Sequence, residues 1–189
     1  MRGFFAIGID GASKEGNIGN LIRTGHAFGA SFAFAINPKI VRHSGKSVTA
    51  DFADTSKTST NIPFYEYESA HDIQLPKGAL IVGIEISDDA IDLPSFRHPA
   101  QALYVLGSER NSLSAAMMER CDMIVKIPTK FSLNVATAGA IVMYDRMRSL
   151  GSFADRPVSA RRRPDEKKAH VHGGPIYREH GSRKRVKDK

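Results

Sequence analysis

Three short stretches of this chain set polar side chains beside apolar runs. NIGNLIRTGHAFGA, residues 17–30, carries Asn17, Asn20 and Arg23 on a helical pattern. LGSERNSL, residues 106–113, sets the Glu109 carboxylate just after an apolar run. IPTKFSLNV, residues 127–135, brings Ser132 and Asn134 to the start of another helical pattern, with Ser132 expected as its cap. A helix start offers unpaired backbone donors and a positive dipole end. Arg23 lies six positions beyond Asn17, near two helical turns, so both are expected to face one side. Each residue has an ordinary use as well: Asn17 as a cap, Glu109 as a first-turn acid, Ser132 and Asn134 as the opening of the last helix.

The elements that must position these groups follow from periodicity. GFFAIGID (3–10) is a short unbroken apolar run ending in Asp-Gly, as a strand buried on both faces would be. Ile18, Leu21, Ile22, Gly25 and Phe28 then recur at helical spacing, with Gly29 as a stop. SFAFAIN (31–37), FYEYE (64–68), ALIVGIE (79–85), ALYVLGS (102–108) and MIVKIP (123–128) read as further strands, with helices at 112–120 and 132–148. The polar, aperiodic stretch from 39 to 63 reads as a long loop. This alternation predicts an α/β fold, a mostly parallel sheet with helices on both faces, whose working groups gather at the carboxyl ends of the strands.

Charge divides the chain in two. Residues 1–150 hold 15 basic and 15 acidic residues, and residues 151–189 hold 12 and 5, which accounts for the whole net charge of +7. We therefore expect one domain over 1–150 and a basic, flexible tail over 151–189, too polar to order itself alone. The tail, with Arg161, Arg162 and Arg163 in a row, suits a polyanion such as RNA or DNA, or else serves solubility. A single cysteine, Cys121, fits a reducing compartment such as the cytoplasm, and no run of 18 apolar residues suggests a membrane span.

Other motifs fail. HSGKS (43–47) ends like a P-loop, but Ile40 stands where the first glycine belongs, and Gly16 with Gly19 does not complete a dinucleotide fingerprint. His170 and His172 lack a third ligand, so no metal site is expected.

The ordered set N-x-G-N-x-x-R-T with AFG (17–29), LGSE (106–109) and IP followed by SLNV (127–135) resembles the three motifs of the SpoU/TrmH family of RNA ribose 2′-O-methyltransferases in the SPOUT superfamily. It covers nearly all of residues 3–148. The resemblance implies S-adenosylmethionine as methyl donor, a tRNA or rRNA substrate, a homodimer and a C-terminal deep trefoil knot, an exception to ordinary folding rules. It assigns the cofactor to Leu106, Gly107, Ile127, Ser132 and Leu133, with Ile84 to Ile86 lining the same pocket. It casts Arg23 as the catalytic arginine, also touching RNA, with Asn17, Glu109 and Asn134 in support. A guanidinium with a pKa above about 12 is a poor base, which favours Arg23 as phosphate clamp and alkoxide stabiliser and leaves proton removal open. Glycines 16, 19 and 25 are read as letting backbone and substrate come close. The chain departs from the family pattern at Arg110 and Ser112, where glycine is usual, in the short gap between Pro128 and Ser132, and in SLNVA for SLNVS. A catalytically inactive RNA-binding module of the same fold is the alternative reading.

Overall fold

The computed structural model describes residues 3–39, 62–108, 111–151, 153, 176–179 and 182–185. The chain divides into two units, Met1–Phe153 and Ala154–Lys189.

In the first unit seven strands form one sheet: β1 (Phe4–Asp10), β2 (Phe32–Ile36), β3 (Phe64–Tyr67), β4 (Leu80–Ile84), β5 (Ile91–Asp92), β6 (Gln101–Leu106) and β7 (Met123–Lys126). Their order is β3-β2-β1-β6-β4-β7-β5, and every pairing is parallel. The strands expected from the sequence lie at the expected places. β5, two residues that pair only with β7, was not anticipated, since two residues are too few to show a period.

Because successive strand residues point to opposite faces, the apolar runs feed two cores. Phe5, Ile7 and Ile9 of β1 join Tyr104 and Leu106 of β6 beneath α1 (Glu15–Phe28) and α3 (Val135–Leu150). Ala6 of β1, Phe34 of β2 and Leu103 and Val105 of β6 face the other way and pack with Met117 of α2 (Ala115–Arg120). An added Cβ at Gly8 would lie 2.5 Å from the Phe34 ring, so the glycine makes room for that ring. One at Gly139 would lie 2.4 Å from Leu21 Cδ1, which sets the close approach of α1 and α3. Gly29 ends α1 in the left-handed conformation, φ 81°, as its sequence position predicts.

The C-terminal end of α3 is fastened at the amino ends of β1 and β6. Arg146 is 2% exposed and donates to the carbonyls of Pro99 at 2.6 Å, Ala100 at 2.9 Å and Phe4 at 3.2 Å, and to Tyr104 Oη at 3.1 Å. Its guanidinium also lies 5.2 Å from the centroid of the Phe5 ring. Tyr104 Oη lies 2.6 Å from His98 Nδ1, and His98 Nε2 lies 3.0 Å from Asp145 Oδ2. A neutral imidazole protonated on Nε2 satisfies every member: Tyr104 donates to Nδ1, and Nε2–H donates to Asp145. Burial pushes the Tyr104 hydroxyl up to about 12, against the pull of Arg146.

In the second unit β8 (Ile176–Glu179) and β9 (Ser182–Arg185) pair as an antiparallel ribbon, with Tyr177 opposite Lys184 and Arg178 opposite Arg183. This stretch of the tail was expected to lack regular structure. Among the described residues no helix is long and apolar enough to cross a membrane, and no three metal-ligating side chains form a group.

Burial lowers the His98 pKa below its ordinary 6.5, more than the Asp145 carboxylate raises it. The unfolded chain therefore binds the proton more readily than the folded one, and stability is lost as pH falls below about 6.5. Urea unfolding at pH 7.5 and 5.5 is expected to show a lower midpoint at 5.5, and His98→Gln a smaller difference. Equal midpoint differences in the two proteins would contradict this.

Candidate active site

The carboxyl ends of β4, β6 and β7 are neighbours in the sheet, and the loops that leave them enclose a cavity of about 280 Å³. Ile84, Leu106, Ile127, Leu133 and Ala138 give it apolar walls, and Ser108, Asn111, Ser112, Thr129 and Ser132 add polar groups. The six residues expected from the sequence to hold a cofactor, Ile84, Leu106, Gly107, Ile127, Ser132 and Leu133, all line this one cavity, as do Glu85 and Ile86.

Backbone pairing shapes the loops. After β6 the chain turns so tightly that a Cβ on Gly107 would lie 2.9 Å from both the Asn111 carbonyl oxygen and the Leu113 nitrogen. No rotamer relieves a clash with backbone, so residue 107 must be glycine. Two carboxylates hold the returning strand of this turn. Glu85, just past β4, accepts from Leu113 N at 2.8 Å through Oε2 and from Ile86 N at 2.9 Å through Oε1. Asp10, the last residue of β1, accepts from Ser114 N at 2.7 Å. Ser114 in turn caps α2 by accepting from Met117 N at 3.3 Å. Sequence reasoning assigned Asp10 no role, and Glu85 only a place on the pocket wall within the stretch Ile84 to Ile86. Asp10 stood in view at the end of the first apolar run, but its partner lies 104 positions away.

The loop after β7 is braced by Thr129, whose N–H donates to the Ile127 carbonyl at 2.8 Å and whose Oγ1 donates to the Phe131 carbonyl at 2.8 Å. Asn134 then caps α3, its Oδ1 accepting from Ala136 N at 3.0 Å and Thr137 N at 3.3 Å. The cap is therefore Asn134 and not Ser132, which faces the cavity instead. The other end of the Asn134 amide, Nδ2, donates to Asn17 Oδ1 at 3.1 Å. The first and third motifs thus meet through a pair of asparagines.

Arg23 stands apart from that pair. Six residues advance an α-helix by about 600°, which leaves two side chains some 120° apart and not on one side. Asn17 is accordingly buried while Arg23 is exposed and does not line the cavity. Gly25 is also explained without a substrate: a Cβ there would lie 3.2 Å from Ile7, so it serves helix-on-sheet packing, while Gly16 faces open space. Of the residues that depart from the family pattern, Ser112 lines the cavity. Glu109, Arg110, Arg161, Arg162, Arg163, the HSGKS stretch and the tail histidines lie outside the described residues.

The model of the SpoU rRNA Methylase family matches residues 5–144. The chain is 26% identical over 148 residues to the mouse tRNA (guanosine(18)-2'-O)-methyltransferase TARBP1, spanning 73% of this chain and 9% of that protein. It is 27% identical over 146 residues to the 23S rRNA (guanosine-2'-O-)-methyltransferase RlmB of Neisseria meningitidis, spanning 74% of this chain and 56% of the other. The crystal structure of the SpoU methyltransferase AviRb from Streptomyces viridochromogenes in complex with AdoMet superposes with a TM-score of 0.64 at 26% identity, covering 77% of this chain and 57% of that one. The chain thus spans little more than half of these bacterial relatives and a small part of the mouse protein.

Asn134 serves two partners, and substitution separates them. Asn134→Ala removes both the cap and the bridge to Asn17 and is expected to cost about 1–2 kcal/mol in urea unfolding. Asn134→Asp keeps a capping oxygen, with a charge favoured by the helix dipole, and should cost less than half as much. Equal losses would show that the cap is not what Asn134 contributes.

Proposed function

The chain belongs to the SpoU rRNA methylase family, and from that premise we propose that it transfers a methyl group from S-adenosylmethionine to a ribose 2′-hydroxyl of tRNA or rRNA. The observation that carries this reading is the convergence of three loops on one cavity at the ends of β4, β6 and β7. Its size is near the lower end of small-ligand sites, roughly 300–1,000 Å³. Its apolar walls suit an adenine plane, its loop backbone suits the ring nitrogens and ribose, and its one charged lining residue among those described, Glu85, gives it a negative sign that suits a sulfonium.

When bound, the donor would supply a methyl on positively charged sulfur: the sulfur–carbon bond would break to leave a neutral thioether as the ribose oxygen–carbon bond forms, and the hydroxyl proton would pass to water. What the protein must add is alignment, together with help for an alcohol that scarcely ionises at neutral pH. In this reading Leu106, Gly107, Ile127, Ser132 and Leu133 hold the donor largely through backbone, with Ile84 closing one wall. Asn134, fixed by its cap and by Asn17, orients the ribose or donor at the mouth. Arg23, always charged, clamps the target phosphate and stabilises the developing alkoxide, and Glu109 steadies Arg23 or the adjoining turn.

Arg23 lies on an exposed part of α1 away from the lining, which supports a homodimer in which the RNA site is built from both chains. A deep trefoil knot through the 107–114 and 127–134 loops belongs to the same reading. It is supported by β7 lying between β4 and β5, strands that precede it in the chain. The basic segment 154–189 is proposed as a further RNA contact.

Calorimetry with S-adenosylmethionine, followed by transfer of labelled methyl to cellular RNA, tests the reading. Label recovered in alkali-resistant dinucleotides is the expected result, since a 2′-O-methyl blocks cleavage at that phosphodiester. RNA binding without donor binding would instead identify an inactive RNA-binding module. Arg23→Ala should bind the donor as the wild type does and lose about 100-fold or more in turnover, by analogy with removal of an oxyanion-stabilising donor. Unchanged turnover would remove Arg23 from the reaction.

Deleting 154–189 takes away the whole net charge of +7. Loss of these cations should weaken RNA binding and flatten its dependence on salt, since each phosphate contact releases counterions. Equal affinities at low and moderate salt would exclude the tail.

A further inference from the structure

We propose that Phe131 is a stacking platform for an unpaired base of the RNA substrate, with Lys130 beside it on the backbone phosphate. The inference rests on the methyltransferase reading above and assigns a residue that reading does not use. Phe131 is 76% exposed, more than any other large hydrophobic residue among those described. Its position is nonetheless set by the structure: Thr129 Oγ1 holds the Phe131 carbonyl at 2.8 Å, and Thr129 N–H closes on the Ile127 carbonyl at 2.8 Å. Thr129 and Ser132, on either side of the pair 130–131, both line the cavity, which places the backbone of that pair beside its opening. Ile86, another lining residue, is 56% exposed and adds apolar surface to that opening.

The choice of occupant follows from charge and place. Lys130 is exposed and directly precedes Phe131 in the chain, so this loop offers both an aromatic side chain and a cation, the combination that binds single strands by stacking and phosphate attraction together. A ribose whose 2′-hydroxyl enters the cavity must leave its own base or its neighbour's at the mouth. Bases splayed from single-stranded RNA gain stacking on aromatic side chains there. Every base has a π face, so Phe131 should contribute affinity rather than choice of sequence.

The test uses the full chain as wild type, Phe131→Ala and Phe131→Trp. Methyl transfer into cellular RNA is expected to show KM for RNA raised about tenfold in Phe131→Ala, with kcat and donor affinity retained, and restored in Phe131→Trp. A single-stranded oligoribonucleotide carrying 2-aminopurine should lose fluorescence on the wild type and on Phe131→Trp, and keep it on Phe131→Ala. Lys130→Gln should lower the salt dependence of its binding by about one phosphate contact. Unaltered KM and unaltered quenching in Phe131→Ala would overturn the proposal. So would a loss of self-association in Phe131→Ala by sedimentation, which would place the ring against a second copy of the chain. Failure of the wild type to bind S-adenosylmethionine would sink the methyltransferase reading alone, and the quenching measurement would still decide whether the ring stacks on a base.

Discussion

Two carboxylates at strand ends hold the site together. A loop that leaves a parallel sheet carries backbone N–H groups with no ladder to join, and each must find an acceptor or stay in water. Asp10 and Glu85 supply those acceptors to Ser114 and Leu113, turning the chain after β6 back over the ends of β1 and β4. Charge-assisted bonds of this kind are shorter and stronger than neutral ones, and they fix backbone rather than side chains. The cavity that results has its shape dictated by main chain, which is why Gly107 tolerates no side chain.

The third loop depends on α3, which is pinned at both ends. Arg146 spreads its donors over three carbonyls and a phenol at the amino ends of β1 and β6, and Asn134 bridges to Asn17 near the cavity. A buried guanidinium is tolerated only while its hydrogen-bond partners offset its lost hydration, and it becomes expensive if any partner moves, so this anchor favours one position of the helix. Between the two anchors, Gly139 lets α1 and α3 come close enough that the first and third motifs share a hydrogen bond. Cavity geometry at the carboxyl ends of the strands is thus set partly by packing at their amino ends.

Much of this was legible in the sequence, for physical reasons that also explain the failures. Buried parallel strands are short apolar runs, and GFFAIGID or ALYVLGS announces itself. The cavity-lining set was reached through resemblance, because cavities bounded by loop backbone leave few side-chain signatures. What escaped was information carried by distant pairs. Asp10 and Glu85 look like ordinary strand-end acids until their partners are in view, and the two-residue β5 has too little pattern to read. Ser132 and Asn134 are both good caps in isolation, and only the turn held by Thr129 decides for Asn134. The pairing of Asn17 with Arg23 failed on helical geometry, since six positions fall more than a residue short of two turns.

The proposed donor site requires the loops after β4, β6 and β7 to act as one. Backbone amide exchange with and without S-adenosylhomocysteine tests it most directly. Slower exchange is expected only at residues 85–86, 107–113 and 127–135, together in one concentration dependence. Protection that appears elsewhere, or in only one of the three loops, would contradict it.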